Sequence, residues 1–481
     1  MFEKIKTLAT DTLTYGISTV VSRFLTFLLV PFYTNILRPE DYGIVAYFYS
    51  LIAFLTIVYG YGMESAFFRF YSSLEIGDKK ENFSTPFISL FISSFFVSIL
   101  ITIFSDELAT FTQIKKNANE IIIYSSWILF FDTVAFIPFG YLRMERKSKQ
   151  FAFLKFLNVL INVVLNVILL HYFKFGIVGV FLSGLISSLV TILFLISIIL
   201  KNFIFSFNKK LFKKLFKFAI PYLPSGLAMM AIQVIDRPIL LYLTDEKTVG
   251  VYQANYRLGI VMMLFVSMFD MAWRPFFLTH SKDENAKKMF SKIFTYFCLI
   301  ASVVFLTVSL FIEDIVKIQV GSFYFLHPNY WSGLNIVPIV LLSYVFLGMY
   351  NNFIAGIYIE KKTSWLPIIS LIGGIANVLF NFILIPESKG FGAAVSTLIS
   401  YFLIAISTYF ISQKFYSIKF ETSKIVRIFL ITFFIYFISI YFQGTIFVKL
   451  FYFILFLSLL LVFKIFEREV NMFKDILKSI L

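Results

Sequence analysis

Three arginines fall where an apolar chain accommodates them least. Arg23, Arg237 and Arg257 each lie inside a long run of apolar residues. An ionised side chain at the centre of a bilayer-spanning helix costs roughly 2.5–3.5 kcal/mol on insertion scales. Arg23 shares a helical stripe with Tyr15, Thr19, Ser22 and Thr26, so this face must look at protein or water rather than lipid. Gln233 and Arg237 share a face with Asp236 beside them, and Arg257 has Gln253 and Tyr256 close by. A guanidinium stays charged when partly desolvated and grips a phosphate through two parallel hydrogen bonds. A wet cavity that holds these arginines and no lysine therefore suits an anionic, phosphorylated cargo.

Acids and amides accompany them. Glu64 and Asp132 lie within apolar runs, and Asp270 stands four residues before Arg274, the spacing for a pair along one helix. Asp132, Asp236, Asp270 and Glu64 are expected either to pair with arginines, Arg237 with Asp132 or Asp270, or to couple an H⁺ or Na⁺ gradient. Asn158, Asn162 and Asn166 line one helical face, as do Asn377 and Asn381. Such stripes line a cavity or supply hydrogen bonds between helices. Thr19 and Ser22 are expected to line the cavity with Arg23. Other chemistries lack their residues: no glycine-rich loop ends in Lys-Ser or Lys-Thr, so no ATPase is expected. His171, His280 and His327 are scattered without zinc spacing, and neither a metal nor a cofactor is expected. The single cysteine, Cys298, sits in an apolar run as a core thiol.

The elements that must hold these residues are transmembrane helices. Of 481 residues 59% are hydrophobic and 14% charged, where a soluble domain carries roughly 25% charged residues. At ~20 residues per span the length accommodates about fourteen helices and no soluble catalytic domain. The net charge of +15 comes from loops and does not indicate nucleic acid. With both termini cytoplasmic, 31 of the 42 Lys and Arg residues fall on that side and 8 on the other, as the positive-inside rule requires.

Asn162-Val-Val-Leu-Asn166 matches Asn377-Val-Leu-Phe-Asn381. The run from Gly179 to Ser187 likewise matches that from Gly392 to Ser400. These are the fifth and sixth spans against the eleventh and twelfth, a parallel repeat. The expected fold is all-α and polytopic, with two pseudo-repeated six-helix bundles (1–200 and 218–413) and two extra spans with a tail (414–481). Residues 201–217 join the bundles. There Lys209, Lys210, Lys213, Lys214 and Lys217 occupy one helical face and Leu211, Phe212, Leu215 and Phe216 another, the pattern of an interfacial helix facing anionic membrane lipid.

Several short segments then stand in a telling order: Ser22-Arg23, the run Pro31 to Gly43, Leu142-Arg143, Asp236-Arg237-Pro238, Val249 to Tyr252 and Trp273-Arg274-Pro275-Phe276. In this order the chain resembles the Wzx-type flippases of polysaccharide biosynthesis. These belong to the multidrug/oligosaccharidyl-lipid/polysaccharide (MOP) exporter superfamily. The two C-terminal spans are an addition that lipid II flippases share. The resemblance implies transfer of an undecaprenyl-diphosphate-linked oligosaccharide between leaflets of a bacterial cytoplasmic (inner) membrane by alternating access, for O-antigen, capsule or exopolysaccharide. The chain would then be a transporter and not an enzyme, working beside polymerase or chain-length machinery. The diphosphate contact is carried onto Arg23, then Arg237 and Arg257. The rival readings are a drug or cation antiporter of the same superfamily and a membrane enzyme acting on lipid-linked sugar.

Overall fold

Long apolar runs leave the backbone one way to satisfy itself in lipid within a single segment, the α-helix. The computed structural model describes residues 20–21, 23–112, 114–442 and 444–463. Among them, ten helices are long and apolar enough to cross a membrane, eleven if one bent pair counts as a span. The chain is a multi-pass, all-helical membrane protein.

The first lobe holds α1 (23–36), α2 (Pro39–Gly60), α3 (Met63–Ser73), α4 (Lys79–Ile103), α5 (Ser105–Thr112), α6 (Ala118–Met144), α7 (Ser148–Val167, running on as a π-turn to Tyr172) and α8 (Gly176–Asn202). After the linker helix α9 (Lys209–Ala219), the second lobe holds α10 (Tyr222–Val234), α11 (Asp236–Leu243), α12 (Glu246–Leu258), α13 (Ile260–His280), α14 (Ala286–Val316), α15 (Val337–Ile359) and α16 (Leu366–Phe415). Two further helices follow, α17 (Thr422–Tyr441) and α18 (Ile446–Val462). A two-stranded antiparallel hairpin, β1 (Gln319–Val320) and β2 (Phe323–Tyr324), interrupts the connection from α14 to α15.

Two of the expected spans are interrupted. The seventh is α10 and α11, parted at Ile235, and the eighth is α12 and α13, parted at Gly259. A further break, at Lys389 between the expected eleventh and twelfth spans, turns the chain back. At 50 residues a straight α16 would measure about 75 Å, far more than the ~30 Å hydrocarbon core. Lys389 leaves helical geometry (φ 47°, ψ −128°), and a Cβ on Gly392 would lie 2.4 Å from the Leu384 carbonyl oxygen. Residues eight apart meet only where the helix reverses, so α16 is two spans joined by a hairpin.

The repeat is visible in its hydrogen bonds. Asn166 Nδ2 donates to the carbonyl and side-chain oxygens of Asn162 at 2.9 and 3.1 Å, and Asn381 Nδ2 does the same to Asn377 at 2.9 Å each. Ser183 donates to the Gly179 carbonyl at 2.7 Å, as Ser396 does to Gly392 at 2.8 Å.

The lobes meet most closely where α2 crosses α12. A Cβ on Gly43 would stand 1.8 Å from the Glu246 carbonyl oxygen, and one on Gly250 1.9 Å from that of Pro39. Only glycine permits this crossing. Beside it, Asn35 of α1 pairs with the hairpin like a neighbouring strand. Its Nδ2 donates to the Tyr324 carbonyl at 2.7 Å, and the Tyr324 amide donates to Asn35 Oδ1 at 3.0 Å. The Tyr330 hydroxyl donates to the Leu37 carbonyl at 2.9 Å, and Asn255 Nδ2 to the Tyr330 carbonyl at 2.7 Å. These contacts seal the end opposite the lysine-rich loops.

At the lysine-rich end α9 departs from the sequence expectation in one respect. Leu211 and Leu215 do not face lipid. With Ala219 they are buried at 0–1% exposure in the core of the first lobe, so the linker belongs structurally to that lobe. It runs obliquely, bent 43° from α10.

Candidate functional site

Between the lobes lies a cavity of about 640 Å³. Arg23, Arg237 and Arg257, far apart in sequence, all line it, and each has a different fate.

Arg23, the first residue of α1, is exposed to the cavity and donates from Nη1 to Ser267 Oγ of α13 at 2.7 Å. This bond bridges the two lobes and leaves the guanidinium without a carboxylate among the described residues. Arg257, at the end of α12 beside the Gly259 break, is half-buried. It has neither a hydrogen-bond nor an ion-pair partner among the described residues. Arg237 is already satisfied. It is paired with Asp236 at 2.5 Å, and only 6% of its side chain is exposed. Its Nε donates to Gln253 Oε1 at 3.1 Å and its Nη1 to the Gln233 carbonyl at 2.7 Å. Its guanidinium lies over the Tyr256 ring, 4.3 Å from the centroid, a favourable place for a desolvated cation. Asp236 is closed from the other side by the Tyr252 hydroxyl. The ion pair expected with Asp132 or Asp270 is therefore made with the adjacent residue. The break at Ile235 allows it, because α11 begins at Asp236 and its carboxylate need not follow the α10 face.

The acids sort the same way. Asp270 binds Arg274 at 2.9 Å and Glu64 binds Arg143 at 3.1 Å, and neither lines the cavity. Asp132 does line it, accepts a 2.7 Å hydrogen bond from Ser188, and has no ion-pair partner among the described residues. Of the amides, Asn158 and Asn162 reach the cavity. Asn166 is buried behind them, accepting from Tyr33 at 2.7 Å, and Asn377 and Asn381 are buried between helices of the second lobe. Thr19 and Ser22 lie outside the described residues.

Five tyrosines of the wall were not expected, Tyr33, Tyr42 and Tyr49 from the first lobe and Tyr344 and Tyr401 from the second, and they join Tyr256 there. Their signal was faint. Tyr42, Val45, Ala46, Tyr49 and Ala53 repeat at three- and four-residue steps along α2, but 27 tyrosines in the chain conceal any one set. Aromatic faces with hydroxyl edges suit the apolar faces and hydroxyls of sugars.

Two helical lobes enclose a central cavity whose wall carries Arg23, Arg257 and Asp132. Residues 8–281, more than half the chain, match the family described as polysaccharide biosynthesis protein, and the chain belongs to that family. Among solved structures it is similar to the lipid II flippase MurJ in an inward closed conformation. Identity is 17% and the TM-score 0.78, over 95% of this chain and 100% of that one. It is also similar to an inward-facing multidrug resistance MATE family transporter of the MOP superfamily, at 18% identity and a TM-score of 0.63, over 84% of this chain and 97% of that one. An outward-facing structure of such a transporter scores 0.56 at 18% identity, over 84% and 95%. No curated protein sequence matches the chain. The likeness to these structures is one of fold.

Proposed function

We propose that this protein moves undecaprenyl-diphosphate-linked oligosaccharide units from the inner to the outer leaflet of a bacterial cytoplasmic membrane, for surface polysaccharide assembly. The observation that carries the reading is the pair Arg23 and Arg257, two guanidiniums without carboxylate partners in one interlobe cavity. A diphosphate supplies the anion they lack, in the bidentate geometry guanidiniums favour. The cavity volume accommodates a diphosphate and a few sugars, in the range of ordinary ligand pockets. The polyprenyl chain stays in the bilayer. The tyrosines and the amides Asn158 and Asn162 face the glycan.

With the lysine-rich loops in the cytoplasm, the sealed end faces outward. Transport then requires the glycine crossing and the Asn35–Tyr324 pairing to open. Asp132 is the group assigned to couple an H⁺ or Na⁺ gradient, since Asp236, Asp270 and Glu64 are held in ion pairs. The same carboxylate is the feature that would favour a cation antiporter, but two unpaired arginines beside it oppose a cationic cargo. The chain acts here as a transporter and hands its cargo to polymerase or chain-length machinery.

The test is the sidedness of lipid-linked oligosaccharide in cells lacking the protein. A membrane-impermeant sugar-modifying probe would be applied to right-side-out and inverted vesicles. Repeat units should accumulate facing the cytoplasm, relieved by the wild-type chain but not by Arg23→Ala at equal abundance. Unchanged sidedness would reject the flippase and bring the antiporter forward. Rates indifferent to proton and Na⁺ gradients would remove the role of Asp132.

A further inference from the structure

The helix joining the lobes carries a surface that the transport cycle does not use. Along α9, Lys209, Lys210, Lys213, Lys214 and Lys217 fall within an arc of about 140° at 100° per residue, diametrically opposite the buried Leu211, Leu215 and Ala219. All five lysines are exposed, and none has an acidic partner among the described residues. Asn208 begins the helix by accepting from the Leu211 amide at 3.0 Å, and no acid stands in the first turn to offset the charge.

An aromatic row flanks this arc. The rings of Phe207 and Phe212 lie 5.3 Å apart, those of Phe212 and Phe216 5.7 Å, and Phe216 continues to Tyr61 at 6.1 Å. Phe205, just before, is 99% exposed. Five unpaired lysines beside a row of outward phenylalanines match the chemistry of a headgroup layer. Aromatic rings settle at the acyl boundary while lysine stems extend their charge to the phosphates. An acidic soluble protein would answer the lysines but leave the phenylalanines in water.

We infer that α9 is a docking surface for anionic phospholipid headgroups in the leaflet on the lysine-rich side, anchoring the first lobe there. The anchoring follows from the packing. The apolar side of α9 is part of the first-lobe core, where Arg69 of α3 stacks over Phe218 at 5.0 Å. The second lobe starts beyond the 43° bend at Ile220–Pro221. Lipid bound to α9 therefore holds one lobe and leaves the other to pivot.

The experiment measures lipid retained by the purified full chain, by native mass spectrometry in mixed micelles of phosphatidylglycerol and phosphatidylcholine. The variants are K209Q/K210Q/K213Q/K214Q/K217Q and a charge-matched control, K80Q/K149Q/K282Q/K288Q/K361Q. The wild type should prefer phosphatidylglycerol. The α9 variant should lose that preference by about tenfold or more, and the control should keep it. A tenfold rise in salt, which shortens the screening length about threefold, should release the lipid from the unaltered wild type, a result independent of how the variants fold. Equal loss in both variants would overturn the inference by making net charge the cause. Displacement by soluble glycerol phosphate at matched phosphate concentration would overturn it in favour of a free-phosphate site. No preference for the anionic lipid at any salt would also overturn it and leave the arc to an acidic protein surface.

Discussion

Arg237 and Arg257 sit on the same wall, yet their substitutions should fail in different ways. Arg257 has no partner to strand, so Arg257→Ala should leave thermal unfolding in detergent unchanged. It should slow transport by about ten- to a hundredfold, the worth of a charge-assisted hydrogen bond, with partial recovery in Arg257→Lys. Arg237→Ala removes the counter-ion of a carboxylate that is 1% exposed. Breaking one side of such a pair costs about 3–5 kcal/mol, so this variant should unfold at a distinctly lower temperature. If Arg237→Ala were as stable as wild type while Arg257→Ala unfolded early, the two assignments would be reversed. The difference was not legible in the sequence. Residue types marked both arginines as buried charges, but they point to Asp132 or Asp270, on other helices, as the partner of Arg237. The actual partner of Arg237 is its neighbour Asp236, whose Oδ1 also accepts the Arg237 amide at 3.0 Å.

Elements were more legible than their interruptions. Apolar runs bounded by charges, Pro and Gly located the spans, and Pro386 with Lys389 marked the reversal in α16. The breaks at Ile235 and Gly259 stand beside Asp236-Arg237-Pro238 and Arg257, charges that read in the sequence as cavity groups rather than as marks of an interrupted helix. The short helices α3 and α5 likewise lie in stretches that hydropathy leaves as connections. Two glycines whose importance hydropathy also misses are Gly43 and Gly250, which bring backbone against backbone across the lobes. Gly250→Ala would force a methyl into the Pro39 carbonyl, 1.9 Å away, and α2 and α12 must separate. The expected outcome is a chain that folds but opens at its sealed end. In a Cys298→Ala background with Ala53→Cys in the cavity wall, an impermeant maleimide applied from outside should label the Gly250→Ala chain faster than its Gly250 parent. Gly43→Ala should act alike, and the double variant should add little, because both methyls relieve one contact. Unchanged labelling in both would mean that this crossing does not close the cavity.

The whole molecule divides into a two-lobed machine and an appendage. The repeat foretold the lobes because a pair of asparagines four residues apart makes the same hydrogen bonds wherever it recurs. It could not foretell how the C-terminal pair attaches. That pair leans on α14, and none of its residues lines the cavity. The segment just before it is bound more firmly: Phe420 packs on Phe294 with centroids 5.0 Å apart. Glu421 accepts from Thr295 and Lys424 at 2.8 and 2.9 Å. A chain ending at Lys424 keeps these contacts and loses the Lys449–Asp314 ion pair, 2.5 Å long, together with helices whose outer faces, Leu430, Phe434, Phe437 and Tyr441, are exposed for lipid. The bared face of α14 is apolar apart from Asp314 near its end, and lipid covers the rest at little cost because hydrocarbon tails are as apolar as leucine. The shortened chain should therefore insert and bind a soluble diphosphate-sugar headgroup within about threefold of the full chain's affinity, a change under 1 kcal/mol. Transport of the complete lipid-linked unit is the more demanding readout. If headgroup binding survives while transport of the long-chain substrate falls, the pair serves the lipid tail. If headgroup binding is lost from a chain that still unfolds cooperatively, the cavity depends on α17 and α18, and the division into machine and appendage fails.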